Sequence, residues 1–399
     1  MKIKNLLFVV TLLACLTAFG GVCVWGQSNT DLLPSVFVRD AAALRLPGAR
    51  WPEAGIYDGI DCNSPLHWDA QGRLHAFASA LFPYHSVGPD IYRLNNPVLG
   101  VQRVSITPNA RAPINGHLWL EATHRDTNGL LYGWYHNERG AGCANTFLTK
   151  PYIGAMVSRD EGQTWQDLGI IMQAGEAMTN CATGNFFFAG GEGDFSVVLD
   201  QAKQYFYIFF GAYHADISEQ GICVARLAYT DRNDPVGKVW KWYNGQWREP
   251  GLGGHTSPLL PVLTDWHRSD ANALWGPAVH YNTYLECYVM LLNHAINGQW
   301  NQEGVYVSYN KYASNPLGWS TPVRLPIDPQ GRAYPQVVGL QKGETDKVAG
   351  QNAKLFLQGE SRYELVFMRP GEGLGLTFYN NRPLRPASST RVNMPRRIR

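Results

Sequence analysis

The stretch SRDEGQTW, residues 158–165, is a compact polar turn that ends in a tryptophan. It lies between two apolar runs, YIGAMV at residues 152–157 and LGIIM at residues 168–172. Short segments rich in Ser, Asp and Gly form turns because their side chains hydrogen-bond to nearby backbone N–H groups. The stretch therefore predicts a tight turn between two β-strands, with Trp165 packed beneath it.

The same layout returns in five segments, whose first strands start near Cys62, His117, Gly193, Trp275 and Tyr334. Each segment is an apolar strand, a turn containing Asp, Asn or Gly, and a second strand with aromatic residues. No helical apolar period persists. A unit of about four strands that returns roughly every 40 to 70 residues is typical of a propeller blade. The sequence therefore predicts an all-β fold, a five-bladed β-propeller with four-stranded antiparallel blades around a central channel. Three segments share a Trp-bearing turn, which argues against the alternative, a β-sandwich.

The chain divides into four parts. Residues 1–26 combine a basic start with an apolar run, which is typical of a secretory signal peptide. Residues 27–50 form a lead-in, residues 51–380 the propeller and residues 381–399 a basic tail. We therefore expect a secreted or periplasmic protein with no stable membrane span in its mature chain. A membrane anchor, or a lipoprotein attached through Cys15, is the alternative interpretation of the N-terminal segment.

The cysteines after this leader have irregular spacing, which fits no zinc site. Cys143 and Cys181 lie in Gly-, Ala- and Asn-rich loops, and we predict a disulfide between them. Cys223 and Cys287 lie in apolar strand runs and are predicted to be buried thiols. The formal net charge of +2 gives no strong field for a polyanion, so we expect no nucleic-acid partner.

The turn at residues 158–165 resembles the Asp-box, S-x-D-x-G-x-T-W, at every defined position. In propellers this motif joins the third and fourth strands of a blade at the outer rim, away from the central site. The resemblance therefore implies a marker of the fold and not a catalytic motif. Sialidases carry the motif, so a sialidase is one alternative function.

Candidate catalytic residues come from the starts of the first strands, because these strands line the channel of a propeller. Carboxylates concentrate there in three consecutive segments: Asp58 and Asp61, then Glu121, then Glu192 and Asp194. Candidate substrate contacts in and near the same strands are Tyr57, His117, His124, Arg125, Trp275, His280 and Tyr334. Paired carboxyl groups beside flat aromatic rings are what glycoside hydrolysis requires.

This arrangement resembles the five-bladed propeller glycoside hydrolases, the group of arabinanases, β-xylosidases and invertase-like enzymes, from about residue 58 to 370. The family places an Asp base or nucleophile in blade one, a tuning Asp in blade two and a Glu acid in blade three. The resemblance implies Asp61 as base or nucleophile, with Asp58 as its rival. It implies Glu192 as the acid, with Asp194 as rival or pKa-raising neighbour. Blade two departs from the family, because its nearest carboxylate is Glu121.

The resemblance implies a carbohydrate substrate of arabinan or xylan type and no cofactor. A structural calcium ion is left open, because Glu192 and Asp194 lie in an oxygen-rich glycine loop. Asp58 and Asp61 could instead cap a turn. A non-catalytic carbohydrate-binding propeller is an alternative function, and a polysaccharide lyase with His117, Tyr213 or Tyr334 as base is another. The sequence leaves the oligomeric state open.

Overall fold

The computed structural model describes residues 33–49, 59–81, 83–94, 102–103, 105–107, 109, 117–144 and 146–372. The predicted signal peptide, Tyr57, Asp58 and the basic tail lie outside the described residues. The described strands form five separate small sheets. The predicted all-β, five-bladed propeller is therefore confirmed. Within the same residues, no helix is both long and apolar enough to cross a membrane.

Each blade is a mainly antiparallel sheet whose first strand lies nearest the centre. The described chain begins with β1 (Ser35–Arg45), which belongs to the last blade. Blade one contains β2 (Leu66–Trp68), β3 (Leu74–Ala78), β4 (Tyr84–Gly88) and β5 (Gln102–Arg103). Blade two contains β6 (Ser105–Thr107), β7 (His117–Arg125), β8 (Leu131–Gly140), β9 (Thr149–Ser158) and β10 (Thr164–Met172). Strand β6 runs parallel to β10 at the outer edge.

Blade three contains β11 (Glu192–Leu199), β12 (Tyr205–Ala212), β13 (Gly221–Ala228), β14 (Val239–Tyr243) and β15 (Gln246–Pro250), with β16 (Leu260–Pro261) paired to β13. Blade four contains β17 (Ala273–Asn282), β18 (Cys287–Ala295), β19 (Gln302–Asn310) and β20 (Val323–Arg324). Blade five contains β21 (Pro335–Gly339), β23 (Asn352–Leu357) and β24 (Glu360–Met368), while β22 (Val348–Ala349) runs beside β17. Short 3-10 helices occur at Glu176–Met178, Ile217–Glu219, Tyr229–Asp231 and Pro316–Gly318.

Strand β1 is the outermost strand of blade five. It pairs antiparallel with β24, from Ser35 opposite Met368 to Arg45 opposite Glu360. Residues 27–50 were predicted to precede the propeller, but residues 35–45 form a strand of blade five. The sequence did not mark β1 as a propeller strand because only Val36 is fully buried in it and apolar and polar residues alternate only weakly. The pairing closes the ring by joining the two ends of the described chain in one sheet.

Five apolar clusters fill the spaces between neighbouring blades. One cluster joins blades two and three, where the rings of Trp134 and Phe206 lie 4.9 Å apart. Others join blades three and four, four and five, five and one, and one and two. Each blade is therefore packed on both faces, which explains strands that read as continuous apolar runs. This cyclic packing fixes where the first strands meet at the centre.

The turn at residues 158–165 joins β9 to β10, the third and fourth strands of blade two. The Ser158 hydroxyl accepts a hydrogen bond from the Gly162 N–H at 2.8 Å and donates one to Asp160 at 2.8 Å. Asp160 also accepts from the Thr164 N–H at 2.9 Å. Trp165 is 2% exposed and donates to the Gly162 carbonyl. The predicted turn and its buried tryptophan are confirmed, while the likeness to the Asp-box stays a sequence-based prediction.

Ser158→Ala is expected to lower the free energy of unfolding by about 1–2 kcal/mol, because the buried Gly162 N–H would lose its acceptor. Chemical denaturation measures the effect, and Arg159→Ala at the exposed neighbouring position is the control. Equal stability of the two variants would contradict the structural role of the hydroxyl.

Candidate functional site

Hydrogen bonds across the axis bring the starts of the first strands together. The buried Asn63 amide in blade one donates to the carbonyls of Phe195 in blade three and Pro277 in blade four, both at 3.1 Å. The backbone of Ser64 exchanges two hydrogen bonds with the Gln336 side chain in blade five. These contacts tie blade one to three other blades. They hold the residues just before β2 at the centre of the ring.

A buried polar cluster lies beside these contacts, formed by Cys62, Glu121, His136 and Asp194. One sulfur, nitrogen or oxygen atom from each side chain lies within 4.8 Å of the others. The side chains come from blades one, two and three, as predicted for the carboxylates. His136 was not among the predicted residues, because it lies on β8 and the prediction used only first strands. Its position in an aromatic run, YGWYH, gave no signal of a polar role.

Asp194 is 2% exposed and has an unusual backbone, with φ of +45°. Its carboxylate accepts hydrogen bonds from the Tyr213 hydroxyl at 2.5 Å and the Tyr334 hydroxyl at 3.3 Å. Burial raises the pKa of Asp194 above its usual value, and the charge of Glu121 adds to this rise. The charge of His136 and the Tyr213 hydrogen bond act in the opposite direction. Burial prevails, so Asp194 holds a proton more strongly than an ordinary aspartic acid.

Asp61 precedes Cys62 and is the solvent-exposed member of the site. The residue is exposed to solvent, but protein atoms surround its carboxyl group. Burial of the carboxyl group, together with the charges of Asp194 and Glu138, raises the pKa of Asp61 to about 7. The charge of His136 lowers it. Asp61 and Asp194 are therefore electrostatically coupled carboxyl groups from blades one and three.

His136 supplies the positive charge of the cluster. Its Nδ1 lies 3.1 Å from the Glu121 carboxylate, and its Nε2 lies 3.4 Å from Glu138. Burial opposes a charged imidazole, but the hydrogen bonds to Glu121 and Glu138 raise the pKa of His136 well above its usual value. Glu121 is fully buried and also accepts the Phe195 N–H at 2.9 Å. Glu121 thus orients His136 and the β11 backbone and does not face solvent.

Glu192 does not have the environment of a general acid. It is fully buried, with Lys241 Nζ at 2.5 Å and His214 Nε2 at 3.1 Å from the same carboxylate oxygen. Burial would raise the pKa of Glu192, but Lys241 and His214 lower it below its usual value. An ionised carboxylate in a closed ion pair cannot deliver a proton to a sugar oxygen. The geometry supports Asp194, the predicted rival, and leaves the acid role of Glu192 a prediction without structural support.

The predicted substrate contacts separate into two groups. His117 is exposed at the start of β7, its ring 5.9 Å from that of Trp119. Trp275 and Tyr334 lie in the aromatic cluster beside Asp194, their rings 5.2 Å apart. These positions fit a role at the site.

Three other predicted contacts lie elsewhere. Arg125 ends β7, about 26 Å along the strand from His117 at 3.3 Å per residue, and pairs with Glu161 at 2.8 Å. His124 packs against Phe206 at 5.1 Å. His280 is buried against Phe367. Arg125, His124 and His280 thus lie away from the start of the first strands, and their predicted role as substrate contacts has no structural support.

The donor atoms of the cluster do not suit calcium, which prefers a shell of oxygen ligands. A thiol from Cys62 and an imidazole from His136 supply half of the clustered side chains. Glu192, for which the sequence left calcium binding open, is paired with Lys241 and His214. We derive no step through a metal ion at this site.

The cysteine predictions are confirmed. Cys143 and Cys181 form a disulfide. Cys223 and Cys287 are free and buried, as is Cys62. The disulfide links the loop between β8 and β9 in blade two to the loop that leads into β11.

Comparison with known proteins gives similarities of fold. The sequence matches no protein-family model and no curated protein. Among solved structures, the chain is similar to an endo-arabinase from Bacteroides thetaiotaomicron, with 14% identity over 84% of this chain and 99% of that chain and a TM-score of 0.47. It is also similar to an exo-1,5-α-L-arabinanase from a bovine ruminal metagenomic library, with 12% identity over 78% and 93% and a TM-score of 0.46.

A third similar structure is an exo-β-1,3-galactanase from Phanerochaete chrysosporium. The identity is 13%, the match covers 83% of this chain, and the TM-score is 0.44. The chain spans 63% of that galactanase, less than two thirds of its length. With TM-scores under 0.5, these similarities carry no functional conclusion for this chain.

Proposed function

We propose that the protein is a glycoside hydrolase that cleaves a polysaccharide or oligosaccharide, with Asp61 as base or nucleophile and Asp194 as general acid. One observation carries the proposal. Two carboxyl groups with raised pKa values, Asp61 and Asp194, interact electrostatically; the first residue is exposed to solvent and the second is buried beside aromatic rings. Glycoside hydrolysis uses such a pair, one carboxyl group protonated and the other ionised.

The environments of the two groups separate their roles. Repulsion between the carboxylates opposes ionisation of both, so the pair loses its protons in two steps. We assign the first proton loss to Asp61, the residue with the greater solvent exposure. The second stays on the buried Asp194. Over the pH range between the two steps, Asp61 is ionised and can act on water or the anomeric carbon. Asp194 is protonated and can donate to the leaving oxygen.

Neighbouring side chains support these roles. Tyr213 and Tyr334 hold the Asp194 carboxyl group from two sides, which fixes its direction. His136 offsets the negative charge of the surrounding carboxylates and keeps the cluster stable. The buried Trp275 packs its ring 5.2 Å from that of the partly buried Tyr334 and supports it. A supported aromatic ring of this kind suits the apolar face of a sugar ring.

Tyr213→Phe is expected to move the alkaline limb of the kcat/KM profile to higher pH by about one unit. The Tyr213 hydrogen bond stabilises the Asp194 anion and lowers its pKa. Removing the hydroxyl raises that pKa, so Asp194 keeps its proton to higher pH. The measurement is a pH profile with a soluble substrate.

Tyr309→Phe is the control for this shift. Its hydroxyl is also buried, but Tyr309 packs in the cluster between blades four and five. An unchanged alkaline limb in Tyr213→Phe, or the same shift in both variants, would remove Asp194 from the acid role.

The function itself is tested by reducing-end release from a panel that includes arabinan and xylan, the substrate classes suggested by the sequence resemblance. Release by wild type supports a hydrolase. Binding to the same polysaccharides without release would favour the alternative of a carbohydrate-binding propeller. A product that absorbs in the ultraviolet would indicate a lyase. The raised pKa values of Tyr213 and Tyr334 argue against a lyase that uses either as its base.

We further propose that the protein is exported. The disulfide between Cys143 and Cys181 supports this proposal, because such bonds persist mainly in oxidising compartments. Mass spectrometry of the mature protein from culture medium or periplasm tests it. A full-length chain found only inside the cell would overturn it.

A further inference from the structure

The loop at residues 173–191, between β10 and β11, presents two exposed aromatic rings. Phe186 is 68% exposed and Phe187 is 43% exposed, and their rings lie 5.2 Å apart edge to face. We call these two side chains the phenylalanine platform. Adjacent large apolar side chains at the surface of a folded protein commonly mark a binding surface. The hydrolysis described above does not by itself require them.

Ring contacts connect the platform to the proposed acid. Phe187 lies 5.7 Å from Trp300, edge to face. Trp300 lies 5.5 Å from Tyr213, whose hydroxyl donates to Asp194. Phe188 makes a second connection, 5.3 Å from Trp300 and 4.8 Å from Tyr213. Tyr213 and Phe188 are buried and Trp300 is partly buried, so a continuous series of ring contacts, rather than an open surface, connects Asp194 to the exposed rings.

The platform is held in place before any ligand arrives. The buried Asn185 oxygen accepts hydrogen bonds from the N–H groups of Phe187 and Phe188 and from the Trp300 indole, at 2.8 to 3.3 Å. The Phe187 carbonyl accepts the Thr149 N–H at 3.0 Å, which fixes the loop to blade two. The disulfide between Cys143 and Cys181 adds a covalent link to the same loop. A surface ordered in advance loses less entropy when it binds a ligand.

The backbone of Trp300 has a left-handed conformation in the turn between β18 and β19, which fixes the direction of its ring. Its φ is +62°, a region that side chains other than glycine rarely occupy. The turn that begins at Asn297 holds it there, and its ring stacks on Trp266 at 4.6 Å. Asp194 and Tyr334 also have positive φ values, +45° and +55°. Unfavourable backbone conformations of this kind cluster at binding and catalytic sites.

We propose that the phenylalanine platform is a distal sugar-binding subsite, which holds a polysaccharide chain that extends from the carboxyl pair. This inference rests on the proposed function and names its substrate as polymeric. The occupant is a carbohydrate because the platform is the exposed end of the series of ring contacts that reaches Asp194. Sugar rings present C–H faces that pack on aromatic rings, and a chain long enough to reach the platform gains affinity there. A short substrate gains nothing.

The test compares Phe186→Ala/Phe187→Ala with wild type. We expect KM for the polymeric substrate, arabinan or xylan, to rise about tenfold with little change in kcat. The kcat/KM for a nitrophenyl glycoside of the same sugar should stay within about twofold of wild type. The control is Tyr312→Ala/Leu317→Ala, which removes two exposed apolar side chains beyond the opposite end of β19. Affinity electrophoresis in gels containing arabinan or xylan measures binding separately from hydrolysis.

The outcomes separate the two proposals. If wild type cleaves the polymer and the platform variant cleaves and binds it equally well, the platform is overturned and the hydrolase stands. If wild type binds the polymer without cleaving it and the variant loses binding, the platform stands and the hydrolase fails. A parallel loss of kcat on the short substrate, or failure of wild type to bind any polymer, also overturns the platform.

Discussion

Asp61→Asn is expected to lower kcat by about 10²–10⁴-fold, the range that general acid or base catalysis contributes. The change removes the exposed carboxylate that acts on water or the anomeric carbon and leaves the size of the side chain nearly unchanged. Binding of the polymer should persist, because the change leaves the phenylalanine platform in place. Reducing-end release and affinity electrophoresis on the same preparations measure the two properties.

Asp194→Asn separates the acid from the base. On natural polysaccharide, where the leaving oxygen needs a proton, its kcat should fall by about as much as that of Asp61→Asn. On a nitrophenyl glycoside the loss should be much smaller, because nitrophenolate leaves without protonation. Asp61→Asn should lose as much activity on the nitrophenyl glycoside as on the polysaccharide. If the nitrophenyl glycoside restored activity to Asp61→Asn but not to Asp194→Asn, the acid role would pass to Asp61 and the base role to Asp194.

Asp234→Asn is the matched control for both variants. Asp234 is an exposed carboxylate in blade three that pairs with Lys238 at 3.0 Å, and such surface pairs contribute little to stability. Its activity should equal that of wild type on both substrates. Full activity in Asp61→Asn as well would place the chemistry on another carboxylate, and Asp58 would be the next to replace.

The sequence predicted the fold because its signals are local. The turn at residues 158–165 and the paired strands of each repeat depend on near neighbours, and the structure bears out five blades. The exception is β1, whose partner β24 lies more than 300 residues away. Its outer position leaves most side chains partly exposed, so no local apolar pattern marks it as a strand of the propeller.

The candidate site was predicted less completely, because its chemistry depends on contacts between blades. Asp61, Glu121 and Asp194 were found from their place at or near the first strands. His136 escaped because it lies on a second strand and approaches the centre only through the packing of blade two. The sequence could not distinguish Glu192 from Asp194, two residues apart on one strand. Their side chains meet different partners, Lys241 for one and Tyr213 for the other.

Lys241→Met is expected to destabilise the fold by about 3–5 kcal/mol, because it leaves the Glu192 carboxylate buried without its cation. The Lys241 ammonium has no exposure and also donates to the carbonyls of Gln173 and Gly254. Glu192→Gln/Lys241→Met removes both charges, so it should be more stable than Lys241→Met alone. Urea denaturation of the two variants and of wild type measures this recovery.

Glu192→Gln decides between a structural and a catalytic Glu192. We expect a clear loss of stability, with kcat and the alkaline limb of the pH profile close to wild type in the folded protein. The lowered pKa of Glu192 means that its contribution to stability is present at neutral pH and is lost as the pH falls through that value. The stability difference between wild type and Glu192→Gln should therefore shrink in acid. Wild-type stability at neutral pH together with a large loss of kcat would return the acid role to Glu192 and leave Asp194 as its neighbour.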